Sequence, residues 1–553
     1  MRLPAAAVAA ALLLALPATA PARSAHLGTY EVGIGSKSIA VGPNGTFEGG
    51  TVYLGGYGIG GPTVAGPGLG DRHATGNLAG GPSVRAIVIG DGMHYMAVAD
   101  AELQGWFAAA KDGPLGIMDV RKQVAAATHG ALPADHVIVQ SDHSHGGPDL
   151  LGVWGGATTA YRKYVVDQTV AAILEAYATR RSGHLYYGTA SGRDLLNNQF
   201  DYDQANQAMD SDVRILQARD RQGNAFATLL NFSAHPTVLG SSNTLATGDW
   251  PQEANLQLEQ LFGGRAMTMV GTLGRTQPKR DAPCPDPQHK GDADPVVALC
   301  RLDDYAARVV DAAKLAADHS QPLTGKAEVV ADSFLITDPA SNPLLLGMLY
   351  GGAPLGIPIN RSMSPPFMTG DVIGTVTGSA RIGDVLLSSA PGEMYPQIPL
   401  KVRSVLEGLG AHVRGFMTAG LADDQLGYLI APYRAYPQPI KTSFFDSSFA
   451  NGDVVGACTS APGPMCAGNP TPSPIDNDNY FFNVSHTMGE RVTCSLLRGA
   501  GDVFGLGKAA RRAYVRCVAF ANDAAFPEGS DVSASAAASA VPPVPSSFPP
   551  SAR

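Results

Sequence analysis

The sequence predicts an α/β fold: a mixed, buried sheet flanked by helices, followed by a small disulfide-bonded C-terminal module. Three observations predict it. Five short runs are dense in β-branched and other apolar residues and read as buried strands: His136–Gln140, Ala225–Phe232, Met267–Val270, Ile382–Ser389 and Val413–Thr418. Segments with apolar residues at helical spacing lie between them. Each run stops at a Gly- or Pro-containing turn that carries polar, chemically able residues, and open α/β sheets gather their functional groups at such strand ends.

The chain begins with Arg2, an apolar run from Ala5 to Leu16, and small residues at Ala18, Ala20 and Ala22. Residues 1–25 therefore read as a secretory signal peptide, too short to span a bilayer comfortably and without a charged stop. No stable membrane anchor follows. The net charge is −9 with 16% charged residues, and no basic cluster stands out, which argues against nucleic acid as a partner. The oligomeric state is open.

From Thr29 to Gly80 the chain is glycine-rich and reads as a loop-rich cover, or as backbone that approaches a ligand closely. Arg85–Ile89 and Met93–Ala99 flank Gly90-Asp91-Gly92 as a hairpin, and the second strand ends at Asp100-Ala101-Glu102. Leu115–Ala127 is helical by periodicity. The first buried strand then runs into Asp142-His143-Ser144-His145-Gly146-Gly147-Pro148. In extended chain, residues two apart point the same way, so His143 and His145 can face one point, as a divalent metal requires; two hydrogen-bonded loop histidines are the plainer reading.

Thr158–Thr179 is an amphipathic helix, and Asn197-Asn198-Gln199 is a polar cluster. The next strand ends in Ser233-Ala234-His235-Pro236-Thr237. In Thr247-Gly248-Asp249-Trp250-Pro251-Gln252, Asp249 suits an N-cap, Pro251 the first turn and Gln252 a capping box, so capping rather than metal binding is expected of Asp249. The strand at 267–270 leads to Gly274-Arg275-Thr276-Gln277-Pro278. The one at 382–389 leads to Ala390-Pro391-Gly392-Glu393, and the last to Asp423-Asp424-Gln425-Leu426-Gly427-Tyr428. Six cysteines in an exported chain imply disulfides. Pairing of sequence neighbours gives Cys284–Cys300, Cys458–Cys466 and Cys494–Cys517. On these grounds residues 26–440 form one large domain and 441–529 a cysteine-containing module. Residues 530–553 form a Ser/Ala/Pro tail with too little apolar content to fold.

These segments together resemble the neutral ceramidase family, zinc amidohydrolases that cleave the N-acyl bond of ceramide. The family pattern His-Thr-His-Ser-Gly-Pro-Gly is matched by His143-Ser144-His145-Gly146-Gly147-Pro148-Asp149. Val-His-Pro-Thr and Ser-Gly-Asp are matched by Ala234-His235-Pro236-Thr237 and Thr247-Gly248-Asp249, and Pro-Gly-Glu by Pro391-Gly392-Glu393. The resemblance spans residues 27–440. It implies a Zn2+ ion held by His143, His235 and Glu393, with a tyrosine as fourth ligand, for which Tyr428 is favoured over the alternative Gln425. It implies that His145 serves catalysis beside the metal. Two departures stand out: Gln277 occupies the place of the family's catalytic serine, and Asn197-Asn198 that of an Asn-Arg pair. The resemblance therefore implies a small-molecule or lipid substrate as partner, and a secreted or periplasmic zinc-dependent hydrolase of an amide or ester bond in an apolar acyl substrate. Zinc-activated water would act directly and Gln277 would donate a hydrogen bond. An esterase or lactonase, or a non-catalytic zinc-containing binding protein, are the rival readings.

Overall fold

The computed structural model describes residues 27–57, 72–198, 209–274, 276–281, 284, 294–340, 346, 349–350, 359–429, 484–485 and 487–525. The signal-peptide segment 1–25, Cys458, Cys466 and the tail 530–553 lie outside them, as does all of 441–483.

The larger of two sheets contains β1 (Tyr30–Ser38), β2 (Ser83–Gly90), β3 (Tyr95–Ala101), β4 (Val137–Ser141), β5 (Arg181–Ser191), β6 (Asp212–Arg219), β7 (Ala225–Phe232) and β8 (Arg265–Val270). Their spatial order is β8-β7-β6-β5-β1-β2-β3-β4, with the short strand Gln321–Pro322 added to β5. The sheet is mixed: β3 with β4 and β7 with β8 run parallel, the other neighbours antiparallel. The smaller sheet has the order β9 (Val329–Pro339), β10 (Val372–Ile382), β11 (Val385–Ser389) and β12 (Gly415–Ala419), with β11 and β12 parallel.

Side-chain alternation builds the layers. On β2, Val84, Ala86 and Val88 face one way, into a core shared with α1 (Ile117–Ala127) and α2 (Thr159–Ala178). Ile87 and Ile89 face the other way and meet Ala380, Ile382, Val385 and Leu387 of the smaller sheet. Helices α3 (Asp249–Phe262) and α4 (Pro295–Asp318) cover β6–β8. Helices α5 (Gln397–Gly408), α6 (Met488–Val503) and α7 (Gly507–Ala525) lie on the smaller sheet. The result is helices, sheet, sheet, helices, with three apolar interfaces. Each large apolar side chain fully buried in them is worth about 1.5–3 kcal/mol. The described C-terminal segment thus shares a core with the smaller sheet, anchored by Ser485, Thr487 and Arg491 on the buried carboxylate of Asp338.

Some sequence expectations need correction. The glycine-rich start is not all loop: residues 30–38 form β1, near the middle of the large sheet. Its glycines serve packing, because a Cβ at Gly33 or Gly35 would fall 2.2 or 2.1 Å from the carbonyl oxygen of Ala176 or Ala172 on α2. The run 382–389 is two strands, broken by a turn at Gly383 (φ 61°) and Asp384. The other runs appear at or near their expected bounds, and β2–β3 form the expected hairpin. The pairs Cys284–Cys300 and Cys494–Cys517 are both disulfides.

The segment Gly420–Asp423 joins the two ends of the large sheet. Gly420 N donates to Val270 O on β8 (3.1 Å), Ser141 N on β4 donates to Leu421 O (3.2 Å), and Asp423 N donates to Val139 O (2.7 Å). Both edge strands are thereby covered at their C-terminal ends, and the loops after β4, β7, β8, β11 and β12 converge there.

Candidate metal centre

His143 and His145 follow β4, His235 follows β7, Glu393 follows β11, and Tyr428 follows β12. The structure brings His143, His145 and His235 together, with a ring nitrogen of each within 4.8 Å of the others. The convergence does not come from extended chain, as the sequence suggested. His143 is left-handed (φ 66°), a conformation that non-glycine residues rarely hold without surrounding support. Asp142 supports it by accepting from Ser144 N at 2.9 Å. His145 N donates to Pro236 O (3.0 Å), tying the two histidine loops together.

Hydrogen bonds orient the rings. His143 Nδ1 lies 2.8 Å from Gln104 O, and His235 Nδ1 lies 3.0 Å from Thr276 O. A carbonyl only accepts, so each Nδ1 carries the proton and each Nε2 presents a lone pair. Those lone pairs face Glu393: His235 Nε2 is 3.1 Å from Oε2 and His143 Nε2 is 3.5 Å from Oε1. His145 Nε2 lies 3.3 Å from His143 Nε2, while its buried Nδ1 has no partner.

Burial lowers the pKa of His143, although Glu393 opposes it, and lowers that of His145 further, helped by the charges of His143, His235 and Arg72. Both rings are thus neutral near pH 7. For Glu393, burial pushes the carboxyl up. The interactions with His143 and His235, and a hydrogen bond from Tyr428, outweigh it and leave the carboxyl below its ordinary range. Tyr428 is the register partner of Glu393 in a short parallel pair.

This donor set fits a metal ion. Lone pairs of two neutral imidazoles and a carboxylate, all buried and facing one another, repel unless a cation lies among them. Around a tetrahedral ion with bonds near 2.0–2.1 Å, donor atoms stand about 3.3 Å apart; Glu393 stands 3.1 Å from His235 Nε2 and 3.5 Å from His143 Nε2, one carboxylate oxygen to each. Backbone carbonyls behind both ligating rings are the usual outer support of such sites.

The remaining expected residues lie nearby. Gln277 sits in the short strand Thr276–Pro278, opposite Asn197 of Leu196–Asn198, and its Oε1 accepts from Thr237 Oγ1 at 2.9 Å. Gln425 is buried with its Cγ toward Gly105 and its Oε1 without a partner; Tyr428, not Gln425, bonds Glu393. The N-cap expected of Asp249 falls instead on Gly248, without a side-chain cap bond, and Asp249 opens the helix; its carboxylate accepts from Trp250 N (2.8 Å), Val238 N and Leu239 N (3.0 and 3.1 Å). It thereby fixes the loop after His235.

Sequence reasoning missed Gln104 and Thr276, which orient the two rings through main-chain carbonyls and leave no side-chain signal. It also missed Tyr57, whose ring meets His145 edge-on at 4.7 Å, beside Gly56, where a Cβ would lie 2.3 Å from the His145 ring. The glycine-rich stretch does allow a close approach, to His145.

Fold and site together define a class: layered α/β proteins with a buried imidazole–carboxylate centre at strand ends, suited to a metal ion. Among solved structures, a neutral ceramidase from Pseudomonas aeruginosa is similar at a TM-score of 0.55, with 17% identity over 73% of this chain and 68% of that one. A ceramidase complexed with C2 is similar at 0.57, with 15% identity over 85% of this chain and 75% of that one. No family model and no curated protein matches. The chain has the fold of the neutral ceramidases, carried by a divergent sequence.

Proposed function

We propose that the chain is an exported, zinc-dependent hydrolase of the neutral ceramidase type that cleaves the amide or ester bond of an apolar acyl substrate. One observation carries the reading: the Nε2 lone pairs of His143 and His235 are turned by backbone carbonyls onto the Glu393 carboxylate. His143, His235 and Glu393 would hold the ion, with Tyr428 beside Glu393 as the fourth group. A bound zinc ion supplies a water acidified to a pKa of about 7 and a Lewis acid for the acyl carbonyl.

The protein's own groups do the rest. His145 is neutral and has a nitrogen without a partner, so it can take a proton and return it to the leaving group. Gln277 has its side-chain oxygen occupied by Thr237, and an amide N–H is the kind of donor that a developing oxyanion needs. An amide is no nucleophile, so Gln277 forms no acyl-enzyme. That replacement is also what favours the second reading, a zinc-containing binding protein without turnover. Metal analysis of the exported protein together with a panel of N-acyl amines, esters and lactones tests both. Stoichiometric zinc with turnover supports the hydrolase, and zinc without any turnover supports the binding protein.

A further inference from the structure

Beside His145 stands a positive charge with no counter-ion among the described residues. Arg72 Nη1 donates to Asn243 O at 2.9 Å, and Nη2 donates to Gly55 O and to His145 O. Its Nε is buried without a partner. The guanidinium lies 4.9 Å from the centroid of the Tyr57 ring, which in turn packs on the His145 ring. All three acceptors are neutral carbonyls, which satisfy protons without cancelling charge. Among the described residues, Arg72 has no carboxylate partner. Burial lowers its pKa to about 10, a sign of how poorly the charge is compensated.

A second arginine reaches the other histidine loop from the segment after Thr276–Pro278. Arg280 is exposed, donates only a long bond to Thr237 O (3.4 Å), and also has no acid partner among the described residues. The charges of Arg72 and Arg280 both reach the Tyr57 phenol. Asp249, whose charge reaches Tyr57 and Arg280, is buried and committed to three backbone N–H groups. In a chain of net charge −9, two guanidinium groups without an acid partner among the described residues, one bonded to His145 O and the other to Thr237 O, form a local positive field. A planar guanidinium recognises carboxylate, sulfonate or phosphate well.

We propose that the substrate of this centre is an acyl compound whose polar part is anionic, with Arg72 and Arg280 as its specificity-determining residues. The proposal rests on the hydrolase reading for turnover but not for binding. It departs from a neutral sphingoid amide such as ceramide and names the class of leaving group, an amine or alcohol that carries an acid.

The test uses the full-length, zinc-loaded protein and amides with one lauroyl chain: N-lauroylglycine, N-lauroyltaurine, N-lauroyl-phosphoethanolamine and neutral N-lauroylethanolamine. At low salt, kcat/KM for at least one anionic amide should exceed that for the neutral one about tenfold or more, chiefly through KM, and added salt should shrink the gap. Comparing the three anions identifies the acid. Arg280→Gln, an exposed change, should lower the anionic-to-neutral ratio several-fold. Arg72→Gln should lower it further, with Arg72→Lys intermediate; thermal melts check that both stay folded. Equal or better use of the neutral amide, or ratios unchanged in Arg280→Gln, overturns the proposal. If none of the four is turned over, amide hydrolysis fails separately. Equilibrium binding of the same amides then decides: tighter, salt-sensitive binding of an anionic one, weakened in Arg280→Gln, supports the proposal, and equal binding overturns it.

Discussion

Gln277 stands opposite Asn197 in the antiparallel pair Leu196–Asn198 with Thr276–Pro278. Gln277 replaces the serine, and Asn197-Asn198 the Asn-Arg pair, of the ceramidase pattern, so the departures share one small element. Thr276 in the same strand also orients His235 through its carbonyl. The element is therefore altered as a unit, and restoring one residue does not restore the other. Gln277→Ala should lower kcat about a hundred- to a thousand-fold, the usual cost of one oxyanion donor, and Gln277→Ser should not recover it. Rapid-quench mass spectrometry on an activated acyl ester should detect no covalent adduct in either protein. An acyl-enzyme in the parent would refute direct attack by water.

His143→Ala and His235→Ala should each release the metal, since each removes a lone pair aimed at Glu393 and leaves a buried carboxylate short of partners. His145→Ala should retain more than half of it while kcat falls about a hundredfold or more. Elemental analysis beside steady-state rates separates the roles. If His145→Ala loses metal as completely as His143→Ala, the third imidazole is a ligand rather than a proton carrier.

The strand ends were readable because a buried strand must stop at residues that cannot continue it, and those turns carry the chemistry here. Gly146-Gly147-Pro148, Pro236 and Pro391-Gly392 marked them. β1 was not readable: Gly33 and Gly35 erase its apolar alternation, and the cause is a helix backbone more than 130 residues away in sequence. β6 carries Arg219, whose partners Ala317 O and Ser320 Oγ lie on and just after α4. Gln104 and Thr276 act through main-chain oxygens that any residue possesses. A single sequence shows which side chains are capable, but not which carbonyl will orient them.

Asp424 is a stability prediction with a functional readout. Its buried carboxylate accepts two bonds from Arg361, one from Thr375 Oγ1 at 2.9 Å, and N–H bonds from Ala108 and Gln425. It holds the turn that leads to Tyr428. Asp424→Asn leaves the Arg361 charge buried and unpaired, which should cost about 3–5 kcal/mol. The urea midpoint should fall accordingly, and metal affinity should weaken as Tyr428 loosens. A variant with unchanged midpoint would show that water reaches this pair.

The last prediction concerns pH. Glu102 is buried below the centre; its Oε2 accepts from Ser83 N at 2.7 Å, but its Oε1 has no partner. Burial raises its carboxyl from 4.5 to about 7, against the opposing pull of Arg85 and Ser83. Asp100 is raised too, by burial and the charge of Glu102, and Asp142 by burial and the charges of Asp100 and Glu102; the nearby Arg85 is already paired with Glu259. For an acid whose folded pKa is raised, stability is fully present below the unfolded value. It is lost as pH climbs through the folded one. Glu102 should therefore cost the fold about 3 kcal/mol between roughly pH 4.5 and 7, then no more above that. Glu102→Gln keeps the shape without the charge. It should be more stable than the parent at pH 8, by roughly 1–3 kcal/mol, and about equal to it or less stable at pH 4.5. Urea unfolding of metal-stripped parent and variant at both pH values measures the difference, in which the titration of the shared histidines cancels. A variant weaker than the parent at pH 8 would mean that the Glu102 carboxylate is stabilised by a cation or water within that cluster.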